Sequence, residues 1–433
     1  FFVHPGTQRA FSSVYDPLAH RFAERVRVDM TQRCTVSNLT RGWLDNSLRN
    51  LPLLLDSTPI HLLQGRFDDV PAVVVGAGPS LDAALPDLKK WRDRALLIAV
   101  GTAYRPLRKA GIDPHVTILV DGSPHIARQF RNVETDAGWL LTPPQIHPSV
   151  IEMFKGRLIS WQTGALPEFN DWIRNYADAP AGTLKAGGTV TFSAIDAARF
   201  FGCPEIYTLG LDLSFAPNHR THVTESIYDE EDFKARLART KRIGVPGNVR
   251  KKVETTAQFA TYIELLATLA ATINNDPNCR LVNVNPDGAR IPNMTHCLPQ
   301  ECRPEDVPVA EDIDRRLAAV CTDTPWIRPD TMVSVLNETR RDLTELAEDA
   351  RKATQLCRKL AKGGGFDHPK AEARMKRLQK AEKRLGATTP GGLLLSAAVR
   401  ASSMDTVAFC AGIEADDKTG FVRVHEKCGS YYG

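Results

Sequence analysis

The chain has 433 residues, 42% of them hydrophobic and 24% charged, with 55 Lys and Arg against 51 Asp and Glu. At about 100–200 residues per domain, that length holds roughly two to four domains. The +4 charge is too small to argue for a polyanion partner, and 29 Gly with 28 Pro exclude a collagen-like or low-complexity chain.

Residues 1–17 lack the basic region and apolar run of a secretory signal, and without an initiator Met they read as the start of a fragment or processed product. Residues 1–60 read as a helical segment. Leu44, Leu48, Leu51 and Leu55 recur at spacings of four, three and four, with Pro52 as an interruption.

Residues 61–300 change character. Short apolar runs over 71–75, 96–100, 116–120, 158–161 and 205–209 alternate with amphipathic stretches over 81–91, 103–110, 148–154 and 190–201. Continuous apolarity suits strands buried on both faces, and the alternation predicts an α/β fold: a Rossmann-like, doubly wound, mostly parallel sheet with helices on both faces. In such sheets ligands bind beyond the carboxyl ends of the strands, so the loops there are the candidates. The charge-free stretch 137–151 contains three prolines and is too short for a membrane span. A long helix is expected over 253–275, a last strand over 280–284, and a linker over 301–330.

From Met332 onward the pattern is helical. Leu343, Leu346, Ala350, Ala353, Cys357 and Leu360 share one face, Gly363–Gly365 break the helix, and Ala371, Met375, Leu378 and Leu385 mark a second one. Residues 301–433 thus read as a C-terminal helical domain. Within it, 358–386 holds ten Lys and Arg against three Asp and Glu, either a solvated face or a surface for an acidic partner.

The nine Cys form no C-x-x-C pair, and His296-Cys297 with Cys302 lacks the doubled spacing of a zinc site. The thiols read as reduced, which favours the cytoplasm. No metal site is assigned.

Five loops could carry chemistry. Gly76-Ala77-Gly78-Pro79-Ser80 follows the first strand, and its glycines permit close approach to a ligand at a helix N-terminus, a seat for phosphate. It differs from both dinucleotide and P-loop fingerprints. Gly101 and Thr102 follow the second strand. Asp121 follows the third, suited to a ribose hydroxyl, a metal or an amine, or to capping a turn. Lys185, Gly187, Gly188 and Thr189 precede an apolar helix and form a second anion cradle. Asp212 lies after the fifth strand, with His222 beyond it as a general-base candidate or an ordinary solvated loop histidine. The eight Lys and Arg of 234–252, Arg250 and Lys251 among them, form a mobile lid over an anionic donor or a solvated loop.

Taken in order, GAGPSLD, AVGTAYRPLRKAGIDPHVTILVD and KAGGTVTFSAIDAARFFGCPEIYTLGLDLSF resemble the motility accessory factor (Maf) flagellin glycosyltransferases, over Gly42 to Ile291. The wider superfamily includes the 6-hydroxymethylpterin diphosphokinases and, distantly, bacterial sialyltransferases. The resemblance implies a cytoplasmic, CMP-sugar-dependent glycosyltransferase that moves a nonulosonic acid to Ser or Thr of flagellin, supporting motility. It places the nucleotide on Gly76, Gly78, Pro79, Ser80, Gly101, Thr102, Gly187, Gly188 and Thr189. It has Asp212 fix the nucleotide or sugar and puts His222 near the place of the base; Asp121 joins them as a catalytic candidate from its own loop, and in a glycosyltransferase Lys185, Arg250 and Lys251 would meet the phosphate or carboxylate of the donor. Ala77 stands where the sialyltransferases carry Asn. No resident cofactor is implied, and a divalent metal is compatible but not required. Two other readings compete. A pterin diphosphokinase would need ATP and Mg²⁺ on Asp121 and Asp212. A non-catalytic module would use the helical tail to hold a partner.

Overall fold

The computed structural model describes residues 9–154, 156–176, 182–310, 312–321, 328–362, 373, 376, 389–396 and 398. The chain opens on helix α1 (Ser12–Leu55), and strands β1 (Thr58–Pro59) and β2 (Ala72–Val75) follow. Then come α2 (Leu81–Trp91), β3 (Leu96–Val100), α3 (Gly101–Lys109), β4 (Val116–Ile118), β5 (Trp139–Thr142), α4 (Pro148–Met153) and β6 (Leu158–Ser160). The second half holds α5 (Pro167–Tyr176), α6 (Val190–Phe200), β7 (Glu205–Leu209), α7 (Glu231–Ala238), β8 (Arg242–Val245) and β9 (Val253–Thr256). It ends with α8 (Ala257–Ile273), β10 (Arg280–Val284), β11 (Thr295–Cys297), α9 (Ile313–Cys321) and α10 (Pro329–Lys362).

Nine strands form one sheet in the order β1-β6-β5-β4-β3-β2-β7-β10-β11, and every neighbouring pair is parallel. From β2 the chain winds outward to β6, then returns to lay β7 on the other side of β2. The expected doubly wound α/β fold is present. The central strands are buried at every position, Ala72–Val75 and Leu96–Val100 without exception, which is why their sequences run apolar rather than alternating.

Several expectations need correction. Strand β5 falls inside the proline-rich stretch weighed as a membrane segment; its four residues are bounded by Gly138 and Pro143. The expected helix over 253–275 begins at Ala257, after the β9 strand. The lysine- and arginine-rich 234–252 is not a plain loop, because it contains helix α7 and the first strand of an antiparallel β8–β9 hairpin. The presumed linker 301–330 is in part core: Ile313, Leu317 and Cys321 of α9 join the main hydrophobic cluster of the sheet. Thr58 also donates its hydroxyl to the Cys321 carbonyl at 2.8 Å.

Helix α1 runs through Pro52 and buries Leu44, Leu51 and Leu54, whereas Leu48 is exposed. Those leucines pack with Phe169 and Trp172 of α5, Met332 and Val335 of α10, and Leu394. The two flanking helical parts therefore share one small core. Gly363–Gly365 and most of the expected second C-terminal helix lie outside the described residues. Among those described, no helix is long and apolar enough to cross a membrane.

Candidate functional site

The strand order reverses between β2 and β7, so their carboxyl ends flank the crevice in which this class of sheet holds ligands. Val75 pairs with Leu209, and the two chains stay together beyond the strands. Gly76 N–H donates to Leu209 O at 2.8 Å and Gly78 N–H to Gly210 O at 2.7 Å. A Cβ on Gly76 would lie 2.5 Å from Gly210 O, and one on Gly78 would meet the Asp212 carboxylate. These glycines are thus demanded first by the contact between the two loops.

Asp212 is the centre of that contact. Its buried carboxylate accepts the Ser80 backbone N–H at 3.2 Å and the Ser80 hydroxyl at 2.8 Å. The protein's own carboxylate therefore takes the N-terminal seat of α2 expected for a ligand phosphate, and the Ser80 N–H is not free. Pro79 accepts from Asp82 N–H within the same turn. Burial raises the Asp212 pKa to about 6, against the lowering effect of the Ser80 and Asn285 hydrogen bonds, while nearby Asp287 also raises it.

Residues 220–224 are folded over this loop. Val223 N–H donates to Ala77 O at 2.9 Å, and Asp82 receives Thr224 N–H at 3.1 Å and pairs with Arg220 at 3.2 Å. Between them His222 stacks on Tyr228, with ring centroids 3.5 Å apart and planes 9° from parallel. Its Nδ1 lies 2.9 Å from the Thr221 hydroxyl. Burial pushes the His222 pKa down to about 3, so the ring is neutral and a weak base. The stacked, half-buried ring is not the ordinary solvated loop histidine that was the other reading.

The second cradle rests on α8. Thr256 caps that helix by accepting Phe259 N–H at 3.1 Å. Phe259 lies 6.1 Å from both His222 and Tyr262 by ring centroids. Gly188 has φ +63°, and a Cβ on it would stand 2.5 Å from Leu265 and 3.6 Å from the Tyr262 ring. Thr189 N–H folds back on Gly187 O at 2.6 Å, opening α6. A continuous line of contacts thus joins Ala77, Val223, His222, Phe259, Tyr262 and Gly188. The aromatic members escaped the sequence reading, although Phe259 and Tyr262 are three apart at the head of a helix and must share a face.

Other candidates stand elsewhere. Asp121 is exposed and accepts Ser123 N–H at 2.9 Å, closing its own turn. Its neighbour Gly122 is tied to Asn46 of α1 at 2.9 Å. Strand β4, which precedes Asp121, is next but one to β2, about 10 Å away at normal strand spacing. Gly101 is buried against Leu119 and Gln129, with Thr102 half-buried beside it. Lys185 is anchored through its backbone, its N–H on Asp196 at 2.8 Å, and its side chain is exposed. Arg250 pairs with Asp287, and Lys251 is exposed.

A strap of ion pairs spans the mouth. Lys109 holds Glu225 at 2.6 Å, Arg105 faces Glu230 at 3.7 Å, and Arg128 reaches both Glu230 and Asp232. This ties residues 225–232 to α3 and to the turn at Pro124–Phe130. Among the described residues no three His, Cys, Asp or Glu side chains converge as a metal site would require.

Residues 45–218 match the family described as 6-hydroxymethylpterin diphosphokinase MptE-like. The solved Maf glycosyltransferase from Magnetospirillum magneticum AMB-1 is similar over 92% of this chain, with a TM-score of 0.57 and 20% identity. This chain spans 58% of that protein's length. No curated protein matches the chain. Residues 45–218 are thus similar to the MptE-like family, and the chain shares the fold of a Maf glycosyltransferase.

Proposed function

We propose that the chain is a cytoplasmic glycosyltransferase that takes a nonulosonic acid from a CMP-activated donor and passes it to Ser or Thr of flagellin or another protein. The observation that carries the reading is the convergence, at the β2–β7 reversal, of the Gly76–Ser80 loop, the Gly187–Thr189 loop and the aromatic line His222–Phe259–Tyr262. Glycine loops bring backbone close to a phosphate, and the half-buried rings of Phe259 and Tyr262 suit a nucleobase. The shared fold with a Maf glycosyltransferase supports the same reading.

In this reading the acceptor hydroxyl attacks the anomeric carbon, the glycosidic bond to the phosphate breaks, and CMP leaves with the bonding pair. Asp212 is a positioning residue that holds the Gly76–Ser80 loop through Ser80. His222, held neutral, offers a hydrogen bond to the acceptor hydroxyl, whose proton passes to the departing CMP phosphate as the new bond forms. Thermal melting with CMP, CDP, ATP and GTP tests the reading. A ligand at 100 times its dissociation constant stabilises by about 2.7 kcal/mol. Cytidine nucleotides should raise the melting temperature and Tyr262→Ala should erase the rise; no response to CMP or CDP at millimolar concentration rejects the proposal.

The family description favours a second reading, pyrophosphoryl transfer from ATP to a hydroxymethylpterin. Against it, Asp212 is spent on Ser80 and Asp121 on its own turn, so the two carboxylates are not gathered for a cation. AMP release from ATP in the presence of hydroxymethylpterin would decide for it.

A further inference from the structure

A concavity of about 490 Å³ opens between the β8–β9 hairpin and residues 215–219. That lies within the usual range of small-molecule sites, about 300–1,000 Å³. Its lining includes Phe215, His219, Arg242, Gly244, Lys252 and Glu254, and none of the Gly76–Ser80, His222 or Gly188 group.

The walls are fixed in place. Phe215 N–H donates to Glu254 O at 2.8 Å, and Thr255 donates its hydroxyl to Leu213 O at 2.6 Å, so the hairpin is fastened to the chain leaving β7. Across the hairpin Arg242 pairs with Thr256 and Val245 with Val253.

The lining is built for negative charge. The Arg242 guanidinium lies over the Phe215 ring, 4.3 Å from its centroid. Its Nη1 alone serves Glu254 at 2.9 Å and His219 Nδ1 at 3.1 Å. Arg carries five N–H donors, so the Nε and Nη2 donors remain for a ligand among the described residues. His219 accepts through Nδ1, which puts its proton on Nε2 as a further donor. Lys252 lies across Gly244; a Cβ there would stand 2.7 Å from the ammonium nitrogen. A side chain at position 244 would displace the end of Lys252 from this place. Arg250, also in the lining, is answered by Asp287. Glu254 occupies one edge of Arg242, and Lys252 adds a positive charge that no described carboxylate meets.

We propose that this pocket binds a small molecule bearing one oxyanion, a sugar acid or a sugar phosphate, through Lys252, the free edge of Arg242 and His219. The proposal does not depend on the transferase reading, because the lining shares with that reading only Arg250, which Asp287 answers, and the test uses no nucleotide. Calorimetric titration of the full chain with glucuronate, glucose 6-phosphate and glucose tests it. At least one of the two anionic sugars should bind and glucose should not, and the tighter of the two identifies carboxylate or phosphate as the preferred group. Lys252→Ala and Gly244→Val should each weaken binding about tenfold or more, whereas Lys241→Ala, an exposed cation outside the lining, should leave it unchanged. The Lys252→Ala arm is decisive if Gly244→Val fails to fold. Binding of neither anionic sugar, equal binding of glucose, or equal losses from Lys241→Ala and Lys252→Ala would overturn the proposal.

Discussion

Asp212 and His222 stand ten residues apart and are perturbed in opposite senses. Asp212 is raised to about 6, so the folded state holds its proton more tightly than the unfolded chain does. Its contribution to stability is full below about pH 4 and is lost as pH rises through 6, a loss of about 3 kcal/mol for a shift of this size. His222 is lowered to about 3, so its contribution is present above about pH 6.5 and is lost as pH falls toward 3. Between pH 4 and 6 the two slopes oppose each other. Asp212→Asn should therefore make stability climb more steeply with pH in that window, and His222→Phe should make it fall. Urea midpoints for the two variants at pH 4.5 and 7 check the signs. Identical slopes in all three proteins would mean that neither group titrates differently on folding.

The helices that begin at the site depend on small local devices. Thr256 ends β9 and caps α8 in one step, its extended backbone closing the hairpin while its side-chain oxygen takes Phe259 N–H. Thr256→Ala should cost about 1 kcal/mol, seen as a lower urea midpoint. Because Phe259 and Tyr262 stand on the first turn and a half of that helix, the same variant should weaken cytidine nucleotide binding more than its stability loss alone predicts. Thr256→Ser, which keeps the oxygen, should restore both. The α2 terminus works differently: Ser80 makes no side-chain cap of its own, and Asp212 reaches over from the neighbouring loop instead. A carboxylate at a helix N-terminus is stabilised by the dipole there, which offsets part of the burial that raises its pKa.

The molecule is assembled by contacts that cross long stretches of chain. Helix α9 closes the sheet's core next to β1, with Arg316 pairing Asp69 at 2.8 Å and stacking over Phe67. A chain ending at residue 300 should melt well below the full chain, whereas a true linker could be removed without effect; calorimetry of the truncated protein distinguishes the two. In the smaller core, buried Trp172 donates to the Thr339 hydroxyl at 3.0 Å, linking α5 to α10. Thr339→Val leaves that indole N–H without its acceptor and should cost about 1–3 kcal/mol by chemical denaturation.

The fold was readable from the residues because strands buried on both faces must be continuously apolar. Val73–Val75, Leu96–Val100 and Ile206–Leu209 carry that mark whatever surrounds them. The loops with chemistry were readable because doubly wound sheets bind beyond strand ends, and the glycines of 76–80 and 187–188 stand there. What each residue does was not readable. Asp212 as a brace depends on Ser80, 132 residues away, and His222 as a stacked ring on how residues 220–228 fold, whereas the turn that Asp121 closes is local and stood among its readings. Short elements such as β5 and β11 are strands only because a neighbouring strand supplies their hydrogen bonds. Local patterning reports burial, which each residue type carries in itself; hydrogen-bond partners, protonation and the Arg242–Lys252 pocket arise only when distant segments meet.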